Sequence, residues 1–291
     1  MQSVERVSVE RDKDGNPILT SESLEKFADD GFILIPHLLD PEELSILKTT
    51  VENNEVVKKH AYGRNDGQGR KAKVVLWNRP GTDITGIISR SEKVAGTMEK
   101  LLGGEVYHYH SKIIMKDAHT GGMHVWHQDY GYWYSNGCLF PDMGTVFIAI
   151  DRTHKENGCL KVVKGSHKCG RIDHTRIGDQ AGIEGERLDE ILKRLTVLQA
   201  EMEPGDALFF HSNVMHRSEQ NSSNDRRWAF LCAYNRADNN PVIEHHHARY
   251  FPLEKVPNSR ISLCKPPLIQ WMEKIFSLLL MTLAWLRWIQ F

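Results

Sequence analysis

The chain has 291 residues, of which 40% are hydrophobic and 26% are charged, a composition typical of a globular protein. Its 37 basic and 38 acidic residues give a formal net charge of -1, so no overall field draws the protein to nucleic acid or to an anionic membrane. The five cysteines form no C-x-x-C pair and the N-terminus lacks an apolar signal segment. These features favour the cytoplasm or another reducing compartment over secretion.

The first predicted elements are mainly helices. A polar leader at residues 1–19 precedes a helix predicted over Thr20–Asp30, and a short apolar strand follows at Phe32–Ile35. Asp40-Pro41-Glu42-Glu43 has the composition of a capping box at the start of a second helix. The rest of this region is predicted to be a glycine-rich loop at Arg64–Arg70 and an amphipathic helix at Ser91–Leu102.

From residue 105 onward the pattern changes to strands. Glu105–Lys116 alternates between two faces, as a strand should. Further strands are predicted at His124–Tyr134, Gly144–Asp151, Gly158–Val163, Ala207–Phe210 and Arg227–Asn235, with one helix at Glu184–Leu195. Helices followed by short, turn-separated strands predict a mainly β fold, a β-sandwich or jelly roll with the helices packed outside it.

A hydrophobic tail at residues 263–291 is predicted to follow a single domain at residues 20–262. Residues 275–286 are almost wholly apolar, but this run is shorter than the roughly 20 residues that span a bilayer. Trp271, Trp285 and Trp288 flank it and are of a type found at membrane interfaces. Residues 275–291 are therefore a candidate for membrane association, and packing on the domain or on a second subunit is the alternative.

His127-Gln128-Asp129 is the sequence feature with the most specific chemistry. Residues two apart on a strand point to the same face, so His127 and Asp129 can bind one ion while Gln128 points away. Two imidazoles and one carboxylate are the ligands that hold non-haem iron(II) on one face. The second histidine must come from downstream, and the residue types alone leave both His211 and His216 as candidates.

Other histidines lie close to these candidates along the chain. His124 is three residues before His127, so an extended strand would point it to the opposite face. His245, His246 and His247 form a run in a polar region, and such short runs are usually solvated rather than preorganised for a metal. Neither set is predicted to bind the ion.

Several motifs occur in a fixed order along the chain. They are His127-Gln128-Asp129, Glu156-Asn157-Gly158-Cys159-Leu160, Gly165-Ser166-His167, Pro204-Gly205-Asp206, and His216-x-Ser218-x-Gln220-Asn221 with Arg227. Between about Leu24 and Asn235 the chain resembles the phytanoyl-CoA dioxygenase family, which includes ectoine hydroxylases. It departs from the family at Lys164, where proline usually precedes Gly-Ser-His. The resemblance implies a double-stranded β-helix, a cupin-like jelly roll, that uses iron(II), 2-oxoglutarate and O2, with ascorbate as a candidate supporting reductant.

The resemblance also assigns roles to individual residues. It makes His127, Asp129 and His216 the iron ligands, and His211 becomes structural. It assigns Ser218 and Arg227 to the distal carboxylate of 2-oxoglutarate, a group that a guanidinium fork and a hydroxyl suit chemically. Arg226 is the adjacent alternative, and strand alternation would point it the other way. Further implied contacts are Lys112 and Lys73 with the cosubstrate, and Trp133 as an aromatic lining residue.

The implied activity is hydroxylation of a C–H bond in a small-molecule or lipid-like substrate, with release of succinate and carbon dioxide. Related halogenases lack the carboxylate that Asp129 provides, so hydroxylation is favoured over halogenation. Two substrate classes stay open, because an acyl-CoA and a small zwitterion would use different residues. The phosphates of the former could contact Arg64, Arg70, Lys71 and Lys73, and the latter could bind over Tyr130, Tyr132, Trp133 and Tyr134.

Two interpretations from other classes compete with this one. The first is a catalytically silent jelly-roll protein that binds a metal or ligand, and the second is a cupin-like metalloenzyme that does not use 2-oxoglutarate. The complete set of three iron-ligand types argues against the first. Arg227, placed eleven residues after His216, argues against the second. A protein or nucleic-acid substrate is not expected.

Overall fold

The computed structural model describes residues 2–264, in which strands predominate. The larger sheet has seven strands in the order β1-β11-β6-β13-β4-β3-β2, all paired antiparallel. Its strands are β1 (Phe32–Ile35), β2 (Tyr62–Asn65), β3 (Lys71–Trp77), β4 (Val106–Lys116), β6 (Met143–Ala149), β11 (Ala207–His211) and β13 (Arg227–Arg236).

A smaller sheet of four strands has the order β10-β7-β12-β5, and a two-stranded hairpin pairs β8 with β9. The strands are β5 (His124–His127), β7 (Leu160–Val163), β8 (Thr175–Ile177), β9 (Gln180–Gly182), β10 (Val197–Ala200) and β12 (His216–Ser218). The prediction of a mainly β, double-stranded β-helix fold is confirmed, and the helices are minor elements around it.

Helices flank the sheets. They are α1 (Ser21–Asp30), α2 (Pro41–Asn53), α3 (Glu55–His60), α4 (Ile84–Arg90), α5 (Thr97–Leu102), α6 (Asp129–Ser135), α7 (Glu186–Arg194) and α8 (Ser259–Ser262), with a π turn at Glu92–Gly96 and a 3-10 turn at Ser166–Cys169. Within residues 2–264, no helix combines the length and the apolar character needed to cross a membrane. The segment at 275–291 lies outside the described residues.

Two apolar layers cover the two faces of the larger sheet. Phe147 points from β6 toward the smaller sheet and packs in a cluster with Val162 of β7. The next residue, Ile148, points the other way and packs in a cluster with Leu47 of α2 and Ile88 of α4. This alternation is what a strand buried on both faces requires. The sheets therefore enclose one core between them, and the N-terminal helices cover the outside of the larger sheet.

The predicted polar leader packs against the domain. Val4 is buried in the core between the sheets, and the backbone at Arg6 forms a bridge with Leu34 of β1. The Arg6 guanidinium pairs with the buried carboxylate of Asp206. The same carboxylate accepts a hydrogen bond of 2.9 Å from the backbone N–H of His37. The leader thus contributes both an apolar side chain and a counter-ion to the fold.

Two helix starts match the sequence prediction. The Thr20 side chain accepts a hydrogen bond from the Ser23 backbone at the start of α1, and Gly31 ends this helix with a positive φ of 85°. At the start of α2, Asp40 accepts from the Glu43 backbone and the Glu43 carboxylate accepts from the Asp40 backbone. The predicted capping box is confirmed.

Three predictions of secondary structure need correction. The helix predicted over Ser91–Leu102 is interrupted, because Ser91 is extended and a π turn precedes α5. The loop predicted at residues 64–70 is shorter, since β2 continues through Asn65 and pairs with β3, which begins at Lys71. The strand predicted over His124–Tyr134 ends at His127, and Asp129 begins α6. In the last case the aromatic residues favour a strand by propensity, but tertiary contacts override it.

Candidate active site

A cavity of about 520 Å³ lies among residues contributed by both sheets. It is lined by strands β2, β3, β4, β6, β11 and β13 of the larger sheet, by β5, β7 and β12 of the smaller one, and by α3, α6 and the segment after β13. Its lining side chains include His127, Asp129, His216, Ser218 and Arg227. The side chains predicted to hold iron and the distal carboxylate of 2-oxoglutarate therefore face one common space.

His127, Asp129 and His216 form a compact group of metal-ligand types. One ligand atom from each lies within 4.8 Å of the others. His127 and His216 are directly paired across β5 and β12, and their ring centroids are 4.1 Å apart. The Nε2 atom of His127 is 4.0 Å from Oδ1 of Asp129. Sheet pairing between distant parts of the sequence thus builds the facial arrangement that a divalent iron ion prefers.

Both imidazoles are fixed in the tautomer that a metal needs. Nδ1 of His127 lies 2.7 Å from the carbonyl oxygen of Val125, and Nδ1 of His216 lies 2.9 Å from that of Val214. Because a carbonyl only accepts, each Nδ1 must carry the proton and donate it. This leaves the lone pair of each Nε2 for a metal. Burial lowers the pKa of both histidines, which keeps them neutral and able to coordinate.

Asp129 directs one carboxylate oxygen, Oδ1, toward the Nε2 atom of His127. The hydroxyl of Thr145 on β6 donates a hydrogen bond of 2.7 Å to Oδ2 of Asp129. Lys112 lies 4.0 Å from the other oxygen, Oδ1. Burial alone would raise the pKa of Asp129, but the charge of Lys112 and the Thr145 hydrogen bond outweigh it and lower the pKa. The carboxylate is therefore ionised, with one oxygen available to a cation.

Gln128, the middle residue of the triplet, points away from this group and is fully buried. Its side-chain amide donates hydrogen bonds of 2.8 Å to the carbonyls of Gly170 and Asn213, and its oxygen accepts one of 2.8 Å from the Ile172 backbone. Gln128 thereby holds the turn between β5 and α6 in place. That turn sets the direction of the Asp129 side chain.

Arg227, at the start of β13, is one of the largest fully buried side chains in the described residues. Its Nη2 donates a hydrogen bond of 2.9 Å to the carbonyl of Gly158. Its Nε and Nη1 are buried without a hydrogen-bond partner, and burial lowers its pKa to about 10. Within residues 2–264 it forms no ion pair with a carboxylate. A buried, unpaired guanidinium is costly unless an anion binds it.

A second buried cation, Lys116, lies opposite Arg227 in the β4–β13 pairing. Its Nζ donates a hydrogen bond of 2.8 Å to the hydroxyl of Ser218 and another to the carbonyl of Glu219. Burial, and then repulsion from Arg227, lowers its pKa well below the usual range for lysine. The Arg227 guanidinium and the Ser218 hydroxyl thus both line the cavity, and Lys116 is hydrogen-bonded to that hydroxyl from behind the lining. An organic carboxylate fits this donor set.

A protein-family model described as phytanoyl-CoA dioxygenase (PhyH) matches residues 27–229, more than half of the chain. The chain belongs to the phytanoyl-CoA dioxygenase family. As a member of this family, it is a 2-oxoglutarate-dependent dioxygenase that uses iron(II) and O2. The donor set described above fits both groups, because two neutral imidazoles and a carboxylate suit the metal and the buried Arg227 suits a dicarboxylate.

Curated relatives of this dioxygenase include enzymes that act on small molecules. L-proline trans-4-hydroxylase of Streptomyces griseoviridis is 30% identical over 233 residues, which cover 75% of this chain and 87% of the relative. Ectoine dioxygenase of Nocardia farcinica is 26% identical over 238 residues, which cover 76% of this chain and 80% of the relative.

Solved structures of similar fold include EctD from S. alaskensis. Its structure with 2-oxoglutarate and 5-hydroxyectoine has a TM-score of 0.70 and 19% identity, and the match covers 88% of this chain and 93% of that one. Its structure with bound Fe has a TM-score of 0.69 and 20% identity, with the same coverage. These likenesses establish that the dioxygenase has their fold.

Three further residues predicted at the site have different positions. Lys112 and Trp133 line the cavity, and both are largely buried. Lys73 does not line it, because alternation along β3 turns Val74 and Leu76 inward and Lys73 outward. There it pairs with Asp117 at 2.6 Å, and its side chain is 55% exposed. The structure therefore does not bring Lys73 together with the other residues predicted at the site.

The alternatives to the predicted ligands lie elsewhere. His211 packs against His167, with ring centroids 5.5 Å apart, and accepts a hydrogen bond from the backbone of Asn213. Arg226 points away from the cavity and pairs with Asp151 and Glu52. Its outward orientation agrees with the strand alternation that the sequence predicts.

His124 faces the cavity, contrary to its predicted orientation. A β-bulge explains the difference, since His127 pairs with His216 while His124 pairs with Ser218. Three residue steps on β5 therefore match two on β12, which turns His124 to the inner side. It is not part of the group formed by His127, Asp129 and His216.

Three further histidines in the cavity lining, His110, His246 and His247, supply polar atoms that the sequence did not single out as a site. His110 of β4 is buried, and neither of its ring nitrogens has a hydrogen-bond partner. Its ring lies against Trp133 and His247, at centroid distances of 5.7 and 5.4 Å. His245, His246 and His247 do lie within 4.8 Å of one another, and the last two line the cavity. Burial lowers the pKa of His110 and His247, so both are neutral.

Proposed function

We propose that this dioxygenase hydroxylates a C–H bond of a small polar metabolite at an iron centre held by His127, Asp129 and His216. In this proposal Arg227 and Ser218, with Lys116 behind them, bind the distal carboxylate of 2-oxoglutarate. The observation that carries it is the buried guanidinium of Arg227, which has two unpaired nitrogens and faces the same cavity as the three ligand side chains. A metal-binding protein that did not use a dicarboxylate would have no need for this charge.

When bound, the iron and 2-oxoglutarate supply the oxidising chemistry, in which O2 and 2-oxoglutarate give succinate and CO2 as one oxygen atom enters the substrate. The protein's own residues position the reactants. Val125 and Val214 hold the two imidazoles, and Thr145 holds the carboxylate. The apolar side chains of Phe147 and Leu231 line the cavity and limit the access of water.

Asp129 supports hydroxylation over halogenation. The carboxylate is present, ionised and supported by Thr145. A halide would need the position that this carboxylate occupies in the ligand set. The expected product is therefore an alcohol, and the substrate need supply only a C–H bond that reaches the iron.

The polar side chains left over in the cavity favour a small polar substrate. His110 and Arg64 line it in addition to the groups assigned to iron and 2-oxoglutarate. The unpaired ring nitrogens of His110 in particular need a partner, since buried polar atoms without one are costly. The relatives that act on L-proline and ectoine support the same substrate size.

An acyl-CoA substrate has less support from the structure. Of the four basic residues considered for its phosphates, only Arg64 lines the cavity. Arg70 donates to the carbonyl of Asn221 at 2.9 Å, and Lys73 pairs with Asp117 on the outside. A diphosphate group would need several of these charges on one surface.

The proposal is tested by titrating the protein anaerobically with iron(II) and 2-oxoglutarate. We expect a charge-transfer absorption band for the wild-type protein and none for Asp129→Ala, which removes one ligand but leaves Arg227 intact. Asp142→Ala is the matched control, because it removes a carboxylate outside the cavity lining. Absence of the band in the wild type would favour a silent jelly-roll protein or a metalloenzyme without 2-oxoglutarate. Undiminished succinate formation by Asp129→Ala would contradict the ligand assignment.

A further inference from the structure

We infer that Arg64 binds a carboxylate group of the substrate, so that this dioxygenase acts on small carboxylic acids. The inference rests on the proposed function, because it assumes that iron and 2-oxoglutarate take the inner end of the cavity. It adds the chemical class of the substrate and the residue that selects it.

Arg64 is placed by its strand. β2 alternates, so that Tyr62 and Arg64 line the cavity. The neighbouring backbone is fixed from the other side, because the Gln180 side chain donates a hydrogen bond of 3.2 Å to the carbonyl of Asn65. Asp66 accepts hydrogen bonds of 3.2 Å from the Met123 backbone and 2.7 Å from the Gln220 amide. The guanidinium therefore extends into the cavity from a constrained strand rather than from a free loop.

The charge of Arg64 lacks a counter-ion. Within the residues that the structure describes, Arg64 forms no ion pair, and Asp129 is the only carboxylate residue that lines the cavity. Asp129 is committed to the metal and has Lys112 at 4.0 Å. The guanidinium of Arg64 lies near the Tyr132 hydroxyl, which is itself bonded to the carbonyl of Ala181. No acidic side chain is left to neutralise this arginine.

Arg64 and Lys112 both line the cavity, so their positive charges repel each other. Bound 2-oxoglutarate would not neutralise this pair directly, because in the proposed function one of its carboxylates is assigned to the iron and the other to Arg227. An anionic group of the substrate beside Arg64 would remove the repulsion.

A carboxylate suits this position in shape and size. Guanidinium groups bind carboxylates through two parallel hydrogen bonds, which fixes the orientation of the ligand as well as its affinity. The cavity of about 520 Å³ must also hold 2-oxoglutarate. The substrate must therefore share this cavity with the cosubstrate. Anchoring at Arg64 would hold one end of the substrate while a C–H bond faces the iron ligands.

The test uses two acids and their neutral analogues as probes. L-proline and ectoine are compared with L-prolinamide and the carboxamide of ectoine as stimulators of O2-dependent succinate release by the iron-loaded protein. The variants are Arg64→Met, which removes the charge, and Arg64→Lys, which keeps it without the fork. Lys73→Met is the matched control, since it removes one positive charge from the same hairpin outside the cavity. Thermal unfolding of each variant checks that it folds.

We expect at least one acid to stimulate succinate release and its amide to do so far less. Arg64→Met should raise the KM for that acid by about 10- to 100-fold, as loss of a charge-assisted hydrogen bond would. The KM of Arg64→Lys for the acid should lie between those of the wild type and Arg64→Met. The KM of Lys73→Met should match that of the wild type. The KM for 2-oxoglutarate and the iron/2-oxoglutarate absorption band should not change in any of them.

The inference is overturned if an amide is as effective as its acid, if neither acid stimulates release, or if Arg64→Met leaves the KM for the acid unchanged. A wild-type protein that forms no band with iron(II) and 2-oxoglutarate contradicts the proposed function instead. The two failures are therefore distinguished by the spectrum, which does not depend on the substrate.

Discussion

Thr145 and Asp129 meet across the cavity through a hydrogen bond of 2.7 Å, in which the threonine hydroxyl donates to Oδ2 of the carboxylate. Thr145 is on β6 of the larger sheet, and Asp129 begins α6 after a strand of the smaller sheet. The bond fixes the carboxylate rotamer and leaves Oδ1 directed toward His127, at 4.0 Å from its Nε2. A residue outside the set of proposed iron ligands thus orients one of them.

We predict that Thr145→Val weakens iron(II) binding by about 10- to 100-fold, the usual cost of losing a group that orients a metal ligand. Valine has the same shape, so the fold should be retained. The measurement is an anaerobic competition titration of iron(II) against a chromogenic chelator. Thr153→Val is the control, because its buried hydroxyl donates instead to the carbonyl of Ala200, at 3.0 Å. Equal iron affinities for the two variants would mean that Thr145 does not orient the ligand.

Arg227 and Arg226 provide a second matched comparison. We predict that Arg227→Met raises the KM for 2-oxoglutarate by at least about 100-fold, since a bidentate charged contact to the carboxylate is lost. The unfolding free energy without ligand should not fall, because the buried charge has no carboxylate partner and methionine replaces it with apolar volume. Arg226→Met should leave the KM for 2-oxoglutarate unchanged. It should lower the free energy of unfolding, because it removes the ion pairs to Glu52 and Asp151. Steady-state kinetics and urea unfolding of both variants separate the two roles.

The sequence was sufficient to predict the fold class and three metal-ligand side chains, His127, Asp129 and His216, that the structure brings together. The His-x-Asp spacing at His127 and Asp129 is a local pattern, and so are the ordered motifs that end at Arg227. Both can be recognised in the sequence without knowledge of the sheet order. The expectation that both residues lie on one strand is not met, because His127 ends a strand and Asp129 begins a helix. A backbone hydrogen bond from Tyr130 to Ser212, 82 residues downstream, helps to turn the chain there.

Residues whose position depends on the sheet order could not be predicted in the same way. Lys116 of β4 meets Ser218 of β12 only because the two sheets pack together, and the two residues are 102 positions apart in the sequence. Lys73 was assigned to the cosubstrate across a loop of variable length, and a single strand position decides that it faces outward. His124 depends on one β-bulge. No local residue pattern predicts the positions of these three side chains.

Buried neutral histidines should make the fold sensitive to acid. Burial lowers the pKa of His108 to about 4, against an ordinary value of 6.5. Between these values the unfolded chain takes up a proton that the folded chain does not, so the free energy of unfolding falls as the pH falls from about 6.5 to about 4. Above that range His108 contributes no pH dependence. One such group contributes at most about 1.4 kcal/mol per pH unit.

We predict that His108→Gln unfolds with a shallower pH dependence than the wild type between pH 6.5 and 4. Glutamine can keep a hydrogen bond to Ser111, whose hydroxyl lies 2.7 Å from Nε2 of His108. Urea unfolding at half-unit steps of pH gives the slope. At pH 8 the two chains should differ only by a constant offset. Identical slopes from pH 6.5 to pH 4 would show that His108 takes up its proton in the folded state.

The final prediction concerns Glu43, which joins a helix cap to a buried ion pair. Its carboxylate accepts the Asp40 backbone N–H at 3.0 Å and lies 2.7 Å from Nζ of Lys93 through both oxygens. Both charged side chains are less than a tenth exposed. Glu43→Ala should therefore lower the free energy of unfolding by about 3–5 kcal/mol, because it leaves a buried, unpaired ammonium. Asp40→Ala, which removes only the cap, should cost about 1 kcal/mol.

A double variant separates the charge from the cap. In Glu43→Gln with Lys93→Met, neither charge remains and glutamine can still accept the Asp40 N–H. We expect this protein to recover most of the stability lost in Glu43→Gln alone, since apolar replacement of a buried ion pair is often neutral. Urea unfolding of the two single variants and the double variant completes a thermodynamic cycle. If the double variant is no more stable than Glu43→Gln, the loss comes from the helix cap and packing rather than from the stranded charge of Lys93.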